Sequence, residues 1–341
     1  MTAPGWVGAA LLALPVAGAA QTAPPAPAEG EPIALTYSIL FPATHRHTVL
    51  ASEWAQEIAA RTGGRVQITL YPGGTLTPPE ECYEGVEKGT SDIGMSALAY
   101  ARDRFPLSAV IDLPLGYPSG AVATELANAF LARFAPREFA GVKILYLHAH
   151  GPGFLHTQVP VTALEELQGM RILCAGLPAR IVAALGGTPV TVPMDQTYEA
   201  QSAGLVDGSM APMEALPAWP WGQAVRSSTQ AYGSSYTTAF FVAMNQARWE
   251  SLPKDVRQII AAVDEEWTRR TGQEWDELDQ AARDWVGARG NTLITLSENE
   301  DARWVRAVQP VLDEYLANTA ARGLPGGDAV RFCQIFLAER R

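Results

Sequence analysis

Cysteine is scarce in this sequence. The 341 residues include three cysteines, Cys82, Cys174 and Cys333, which lie far apart and form no C-x-x-C pair. An odd and widely spaced set of this kind excludes a disulfide-rich scaffold and a cysteine-based metal site. At most one pair could form a disulfide, and the spacing does not say which. The simplest interpretation is three buried thiols.

Recognised catalytic motifs are also missing. The sequence has no G-x-S-x-G, no H-E-x-x-H, no phosphate-binding P-loop and no G-x-G-x-x-G after a strand pattern. Acidic and basic side chains are common, but no spacing among them selects a catalytic pair. We therefore expect no enzyme, no catalytic residue and no cofactor.

Positive charge is in deficit. The chain has 25 Lys and Arg against 36 Asp and Glu, a formal net charge of −11. An acidic chain repels phosphate, so we expect no nucleic-acid partner. The hydrophobic content of 48% is enough for a sizeable core, and the length suggests about two domains.

Long apolar runs are absent except near the N-terminus. Residues 5–20 are apolar and uncharged, but this run is shorter than the roughly 20 residues that a comfortable membrane span needs. It ends in Ala17-Gly18-Ala19, the small-residue pattern of a cleavage site, although no Lys or Arg precedes it. We predict a signal peptide over residues 1–20 and a Pro/Ala spacer over residues 21–32. The expected location is therefore the periplasm. The predicted cleavage site has no cysteine, so we do not expect a lipid anchor.

Alternating strand and helix patterns follow the spacer. The first series predicts strands over 33–40, 66–71 and 92–95, with helices over 49–61 and 80–88 between them. A second series predicts strands over 143–149, 170–174 and 189–192, with helices over 177–185 and 195–203. Such alternation is typical of open, mostly parallel sheets, which bind ligands at the carboxyl ends of their strands. With two such units, the expected site is the cleft between them.

The last third of the chain is mainly helical in pattern. Residues 254–289 form one apolar-periodic stretch, which at 1.5 Å per residue would span roughly 50 Å as a helix. We expect so long a helix to brace both units, with a bend at Gly272. A strand over 292–296, a helix over 300–320 and a C-terminal helix follow.

Several short motifs occur in order between residue 33 and about residue 290. They are Trp54-Ala55-Gln56-Glu57-Ile58 with Gly63-Gly64-Arg65-Val66, Tyr71-Pro72-Gly73-Gly74, Gly85-Val86 with Gly89, Asp92, Ile93 and Gly94, residues 164–169 (LEELQG), Leu185-Gly186-Gly187-Thr188-Pro189-Val190, Tyr198-Glu199-Ala200 with Gly204, Val206, Asp207 and Gly208, and Met244-Asn245 with Trp249, Leu252 and Pro253. The ordered set resembles the substrate-binding proteins of TRAP transporters, the DctP-type family.

The resemblance implies an α/β fold of two lobes, with mixed sheets flanked by helices and a long helix spanning both lobes. It implies a first lobe of residues 33–149 plus about 237–285, and a second of residues 150–236 plus about 286–341. The expected protein is a monomer that closes around a small-molecule ligand and delivers it to a membrane permease of one small and one large subunit. An extracytoplasmic sensor subunit that serves a receptor is the alternative.

One departure from the family pattern concerns the ligand. The family places a carboxylate-binding arginine four residues past the glycine that is Gly169 here, and Leu173 stands at that position. Arg171 lies on the same strand face and is a candidate replacement. In family members that bind acids, a second basic residue is common at a position that falls near Gly153 here, and it is absent from this sequence. A later position that holds asparagine in the family is occupied by Met210-Ala211. An organic acid remains the favoured ligand, and a neutral or cationic solute held by Glu214, Trp219 and Trp221 is the alternative.

Candidate ligand-binding residues follow from the predicted strand ends. The set is Phe41, His45, Ser96 and Tyr100 in the first lobe, and His150, Arg171, Leu173, Met194, Glu214 and Tyr236 in or near the second. Two H-x-H pairs, His45 with His47 and His148 with His150, also suit a transition metal. Hydrogen bonding of single histidines to the ligand is favoured over metal binding, and a structural or surface role is the commonest one for histidine. No metal site is predicted.

Overall fold

The computed structural model describes residues 32–101, 103–192 and 197–340. The predicted signal peptide, residues 21–31 of the predicted spacer and Met194 lie outside the described residues. In these three ranges we find no helix with the length and apolar character of a membrane span.

The described part of the chain contains eleven strands. They are β1 (Ile33–Ile39), β2 (Val66–Tyr71), β3 (Ile93–Ala97), β4 (Val142–Ala149), β5 (Gly153–Thr157), β6 (Arg171–Leu173), β7 (Thr188–Val190), β8 (Gly208–Pro212), β9 (Ser227–Gln230), β10 (Ala239–Asn245) and β11 (Thr292–Thr295).

Eleven α-helices accompany these strands in the same ranges. They are α1 (Arg46–Arg61), α2 (Cys82–Lys88), α3 (Gly120–Phe134), α4 (Leu177–Ala184), α5 (Thr197–Ser202), α6 (Ala215–Ala218), α7 (Gln246–Ser251), α8 (Lys254–Ala288), α9 (Glu298–Ala307), α10 (Gln309–Ala321) and α11 (Gly326–Ala338).

The strands form two mixed sheets, each of which organises one lobe. The first lobe has the order β2-β1-β3-β10-β4, in which β1 runs parallel to β2 and β3 while β10 is antiparallel to β3 and β4. The second lobe has the order β11-β9-β5-β8-β6-β7, with β5 antiparallel to both β8 and β9. The predicted two-lobed α/β architecture with mixed sheets is confirmed.

The sequence patterns missed β5, β9, β10 and α3. Strand β10 (AFFVAMN) is buried along nearly its whole length, so it shows no alternation of apolar and polar residues. The helix predicted over 300–320 is two helices, α9 and α10. They are separated at Val308 because Pro310, in the first turn of α10, has no N–H to continue α9.

Helix α8 runs for 35 residues and contacts both lobes, as predicted. It packs against α1, α3 and β4 of the first lobe and against α6 and β11 of the second. Two tryptophans attach it to α1: Trp54 Nε1 donates to Asp264 Oδ1 at 3.0 Å, and Trp267 Nε1 donates to the Leu50 carbonyl at 3.0 Å. Burial raises the pKa of Asp264 to about 7.

Helix α8 is continuous through Gly272, where the sequence predicts a bend, so the helix is not interrupted there. Gly272 instead permits close packing, since a Cβ there would lie 3.0 Å from Ala121 Cα on α3. The C-terminal helix α11 also contacts α3, where Phe332 packs edge-on against Phe134 and Arg340 pairs with Glu125 at 2.8 Å. All three cysteines are free and buried.

The junction of α3 and α8 yields a stability prediction. A Cβ on Gly120 would lie 2.5 Å from Trp275 Cβ, so Gly120→Ala should lower the free energy of unfolding by about 1–3 kcal/mol. Urea denaturation would measure the change.

Gly287→Ala is the matched control for that substitution. Gly287 lies in α8 with nothing within 4 Å of its added Cβ, so alanine should raise the free energy of unfolding by roughly 0.5–1 kcal/mol. A Gly120→Ala variant as stable as the parent protein would show that α3 and α8 are not packed this closely.

Candidate functional site

A cavity of about 480 Å³ lies between the two lobes. Its walls come from the loop before α1, the segment after β8 and the second half of α8. The lining residues are Pro42, Thr44, His45, Arg46, Glu214, Pro217, Ala218, Trp219, Leu278, Ala281 and Trp285. A solute in this cavity would contact both lobes and the helix that joins them.

The position of the cavity follows from the strand directions. The chain leaves β1 at Ile39 and reaches His45, which caps the N-terminus of α1, within six residues. It leaves β8 at Pro212 and reaches Glu214 two residues later. Both walls therefore lie just beyond the carboxyl ends of strands, where α/β sheets place ligands.

Trp275 of α8 lies behind this cavity and packs against four histidines. Its ring centroid lies 3.7 Å from that of His47, 6.0 Å from that of His148, 6.2 Å from that of His150 and 6.3 Å from that of His45. We call Trp275 and these residues the histidine cluster. Because α8 supplies the tryptophan and the first lobe supplies His45, His47 and His148, the cluster joins the helix to that lobe.

Hydrogen bonds define the tautomers of two of these histidines. Backbone and indole N–H groups can only donate, so the His47 N–H requires His45 Nδ1 to accept (3.2 Å), and Trp275 Nε1 requires His148 Nδ1 to accept (3.1 Å). In the neutral ring the proton is therefore on Nε2 in both residues. His45 Nε2 faces Glu214 Oε2 at 3.8 Å across the two lobes.

His150 has the opposite tautomer. Its Nδ1 lies 2.5 Å from the Gly151 carbonyl oxygen, which can only accept, so Nδ1 carries the proton. Nε2 is then an acceptor. Its ring packs edge-on against Tyr236 at 5.7 Å.

Burial keeps the imidazoles of His47, His148 and His150 neutral. It lowers the pKa of His47 well below its usual range and that of His148 to about 3. Burial also lowers the pKa of His150, against the opposing effects of the Gly151 hydrogen bond and the Glu214 charge. The imidazoles therefore act here as neutral, polar aromatic groups.

Asp279 of α8 holds the segment that carries Glu214. Its Oδ1 accepts the Glu214 backbone N–H at 3.0 Å, and Gly151 is so close that a Cβ there would lie 2.0 Å from Asp279 Oδ2. Burial raises the pKa of Asp279 to about 7, against the opposing effect of that hydrogen bond.

A smaller cavity of about 230 Å³ opens between residues 98–113 of the first lobe and helices α4 and α10. Tyr236 is buried and is close enough to Asp112 of this cavity and to Glu214 of the larger one for both charges to affect it. Its hydroxyl donates to the Met210 carbonyl at 3.3 Å, and burial raises its pKa, with further contributions from Cys174, from Asp112 of the small cavity and from Glu214 of the large one. Burial raises the pKa of Asp112 itself to about 7.

Every arginine that the structure places on the wall of either cavity already has a carboxylate partner. Arg46 pairs with Glu53 at 2.9 Å and with Glu274 at 2.8 Å. In the small cavity, Arg180 pairs with Glu314 at 2.9 Å, and Arg322 lies 3.9 Å from Asp103. A carboxylate solute would have to compete with these partners or use other donors.

The structure brings together five of the predicted site residues. Phe41 stacks on His45 at 4.1 Å, His45 faces Glu214, and His150 packs against Tyr236. All five lie in or directly behind the two cavities.

Three other predicted residues have different surroundings. Ser96 is fully buried in β3 and donates to the Pro79 carbonyl at 2.8 Å, while the Tyr100 side chain is 41% exposed. Leu173 packs with Ala200 and Val206 on the α5 side of the second sheet. The Ser96 hydroxyl is therefore already hydrogen-bonded within the protein, and Leu173 lies among apolar side chains.

Arg171 is not brought into the cleft, which corrects the prediction that it replaces the missing arginine. Its guanidinium donates to Asp207 at 2.8 and 3.1 Å and to the Gly204 carbonyl at 2.8 Å. Both partners belong to the turn between α5 and β8, so the side chain is held at the surface of the second lobe.

The two tryptophans suggested for a cationic ligand also separate. They separate in exposure only: Trp219 lines the large cavity and Trp221 is buried, and both pack in the same apolar cluster of the second lobe. The residues that the structure describes include no group of three or more His, Cys, Asp or Glu placed to hold a metal ion.

Sequence reasoning missed the contribution of α8 to the site. The apolar spacing of Trp275 and Trp285 within residues 254–289 predicts only a helix face, and it does not single out Asp279. A signal was present: Asp279 follows Trp275 by four residues, which places both on one face of the helix. An acidic residue on an otherwise apolar face indicates a buried polar contact.

Comparisons with known proteins agree on one family. The model of the family described as bacterial extracellular solute-binding protein, family 7 (DctP), matches residues 38–319. A TRAP periplasmic solute-binding protein from Desulfovibrio salexigens is 30% identical, with a TM-score of 0.85 over 90% of this chain and 96% of that chain. It is an open complex in which the C-terminus of a symmetry mate occupies the ligand-binding site.

Two further proteins are similar over most of their length. A TRAP periplasmic solute-binding protein from Bordetella bronchiseptica with bound (R)- and (S)-mandelate is 25% identical, with a TM-score of 0.80 over 91% of this chain and all of that chain. The outer membrane transporter protein TsaT of Comamonas testosteroni is 25% identical over 90% of this chain and 92% of its own.

Asp279 leads to a pH prediction. Its pKa of about 7 in the folded state exceeds the usual value of 3.8, so the folded state binds the extra proton between these pH values. Its contribution to stability is complete below about pH 4 and is lost as the pH rises through 7. Asp279→Asn removes this titration, so the stability of the variant relative to the parent should rise by up to about 1.4 kcal/mol per pH unit between pH 5 and 7.

Urea denaturation at pH 5, 6 and 7 would test this difference. Asp284→Asn, an exposed aspartate on the same helix, is the control and should show a difference independent of pH. A flat difference for Asp279→Asn as well would contradict the burial of that carboxyl group.

Proposed function

We propose that this chain, which belongs to the bacterial extracellular solute-binding proteins of family 7, binds a small aromatic carboxylate between its lobes for delivery to a TRAP permease. Its role is that of a carrier: the solute is held and released unchanged. The permease, with one small and one large membrane subunit, is the expected partner.

The observation that carries this proposal is the 480 Å³ cavity, which has walls from both lobes and from α8. A solute that contacts both lobes favours the closed state by its differential affinity for it. The cavity has the volume of a small-molecule site and combines apolar walls with a few polar groups.

The aromatic part of the proposal rests on the indole groups of this cavity. Trp219 of the second lobe and Trp285 of α8 both line it, and aromatic rings favour offset or edge-on contact with one another. Mandelate in the Bordetella bronchiseptica relative is an aromatic carboxylate, which supports the same class for this chain.

The carboxylate would be recognised here by imidazole rather than by arginine. Leu173 occupies the family's arginine position and packs against apolar neighbours, and Arg171 is held by Asp207. His45 Nε2–H faces the large cavity, and His150 lies behind it beside Tyr236. Neutral and charged imidazoles both donate hydrogen bonds that a carboxylate accepts.

We further propose a periplasmic monomer with lobe boundaries close to those predicted. The first sheet uses strands within 33–149 and 239–245, and the second uses strands within 153–230 and 292–295, which supports the boundaries. The contacts of α11 with α3 favour assigning that helix to the first lobe.

Trp219→Ala tests the site. Removal of the indole should weaken binding of mandelate at least tenfold, because a buried aromatic contact contributes roughly 1.5–3 kcal/mol. Isothermal titration calorimetry at pH 6.5 would measure the dissociation constant. Succinate, an aliphatic dicarboxylate, and mandelamide, which lacks the carboxylate, would define the class.

Trp249→Ala is the control for that experiment. Trp249 is half-buried beneath Lys143 in the first lobe and does not line the cavity, so affinity should be unchanged. Equal affinity of the Trp219→Ala variant and the parent would place the solute elsewhere, and preference for mandelamide would contradict a carboxylate ligand.

The periplasmic location is tested by expressing the full chain in a Gram-negative host. Intact mass measurement of the periplasmic fraction should give a chain that begins at Ala20 or Gln21, after cleavage at the small-residue pattern. Recovery of the uncleaved chain from the cytoplasm would contradict the signal peptide.

A further inference from the structure

We propose that binding of the solute carboxylate is coupled to the uptake of one proton by Nε2 of His150. This inference rests on the proposed function, because it requires a carboxylate in the cleft. The proton comes from solvent, forms the second N–H bond of the imidazolium and donates to the solute oxygen. No other bond changes, and the net charge of the site and solute together becomes one unit more positive.

The charge pattern of the cleft motivates this proposal. The arginines placed on its walls are paired with carboxylates, and Glu214, Asp279 and Asp112 add acidic groups. An enclosed carboxylate needs a charged partner, because burying an unpaired one costs several kcal/mol. Among the described residues that meet in the cleft, the histidines are the groups left to supply a new positive charge.

Hydrogen bonding separates His150 from His45 and His148. In His45, Nδ1 already accepts a hydrogen bond from the His47 backbone N–H, and in His148 it accepts one from the Trp275 indole N–H. Protonation of either Nδ1 would break that hydrogen bond. Because Nε2 already carries the first proton, the second would be on Nδ1, where it would face another N–H group. The hydrogen-bond partners of both rings therefore oppose a second proton, and burial opposes it further at His148.

His150 can gain a proton without losing a bond. Its Nδ1–H already donates to the Gly151 carbonyl, so protonation occurs at Nε2, to which no described protein group donates. The Gly151 hydrogen bond persists in the imidazolium and is strengthened by the charge. His47 Nε2 also has no hydrogen-bond partner, but the positive charge of Arg46 opposes a proton on that ring, whereas the Glu214 charge favours one on His150. His150 is thus the member of the histidine cluster that is best placed to accept a proton.

The groups around His150 set the direction of its response. From the second lobe, the Glu214 charge favours the imidazolium, and from α8, Asp279 lies against Gly151. Trp275 of α8 and Tyr236 pack against the ring, and His148 of β4 is the neighbouring histidine. Burial disfavours the imidazolium form of His150, and the negative charge of a solute carboxylate beside the ring would favour it instead.

Calorimetry with mandelate tests the coupling directly. Titrations at pH 7 in phosphate and in Tris, which differ in ionisation enthalpy, should give an uptake of about one proton per solute bound. The dissociation constant should fall about tenfold for each pH unit between pH 7.5 and 6.5, since one proton is linked to binding.

Two histidine variants make the assignment specific. His150→Gln keeps a neutral donor of similar size but cannot take up a proton, so uptake should vanish and the pH dependence should become flat. His45→Ala should weaken binding, because it removes the Nε2–H that faces the cavity, but it should leave the proton uptake intact.

Several results would overturn the inference. Mandelate binding to the parent protein without proton uptake, or uptake that survives in His150→Gln, would contradict it while leaving the proposed function in place. Nitrogen chemical shifts of the ligand-free protein should show the proton of His150 on Nδ1, and a proton on Nε2 would also contradict it. No binding of mandelate or succinate at any pH would reject the proposed function, and this inference with it.

Discussion

Trp275 packs against four histidines at the point where the long helix meets the first lobe. The indole needs a partner for its N–H when it is buried, and His148 Nδ1 supplies that partner. This bond sets the tautomer of His148, and the close approach of Gly120 to Trp275 Cβ packs α3 tightly against α8 at the same residue. The rest of the cleft depends on this contact, because α8 also carries Asp279, Leu278 and Trp285 toward the second lobe.

Helix α8 therefore couples the two lobes through side chains rather than through a rigid joint. On the first lobe it presents an aromatic surface, and on the second it presents the Asp279 carboxyl group to the Glu214 backbone. The contact of His45 Nε2 with Glu214 Oε2, which joins the lobes at the large cavity at 3.8 Å, is longer than a hydrogen bond. Small relative movements of the lobes can therefore make or break it.

Much of the fold was predictable because it depends on local patterns. The strands and helices of both α/β units, and a single helix over about 254–289, follow from the periodicity of apolar residues. The prediction failed where a pattern gave no contrast, as in the fully buried β10, or where one proline divided a continuous helical pattern, as at Pro310. Neither failure changed the architecture, because the remaining elements constrain the two sheets.

The candidate site was predictable in part. Strand ends pointed to Phe41, His45, His150 and Glu214, and the ordered motifs indicated the family. The place of Arg171 could not be obtained from alternation along its strand, because a pairing with Asp207, 36 residues later, decided it. The role of Trp275 was equally inaccessible, since an apolar helix position does not reveal which polar groups it will meet.

By itself, the sequence determined the two-lobed class, the long helix, the family and the substitution of Leu173 for an arginine. These depend on periodicity, motif order and residue identity, which are properties of the chain. The tertiary structure alone decided which nitrogen of His45, His148 and His150 carries a proton and which arginines are already paired. These depend on contacts between residues up to 228 positions apart, as between Arg46 and Glu274, and no local pattern contains them.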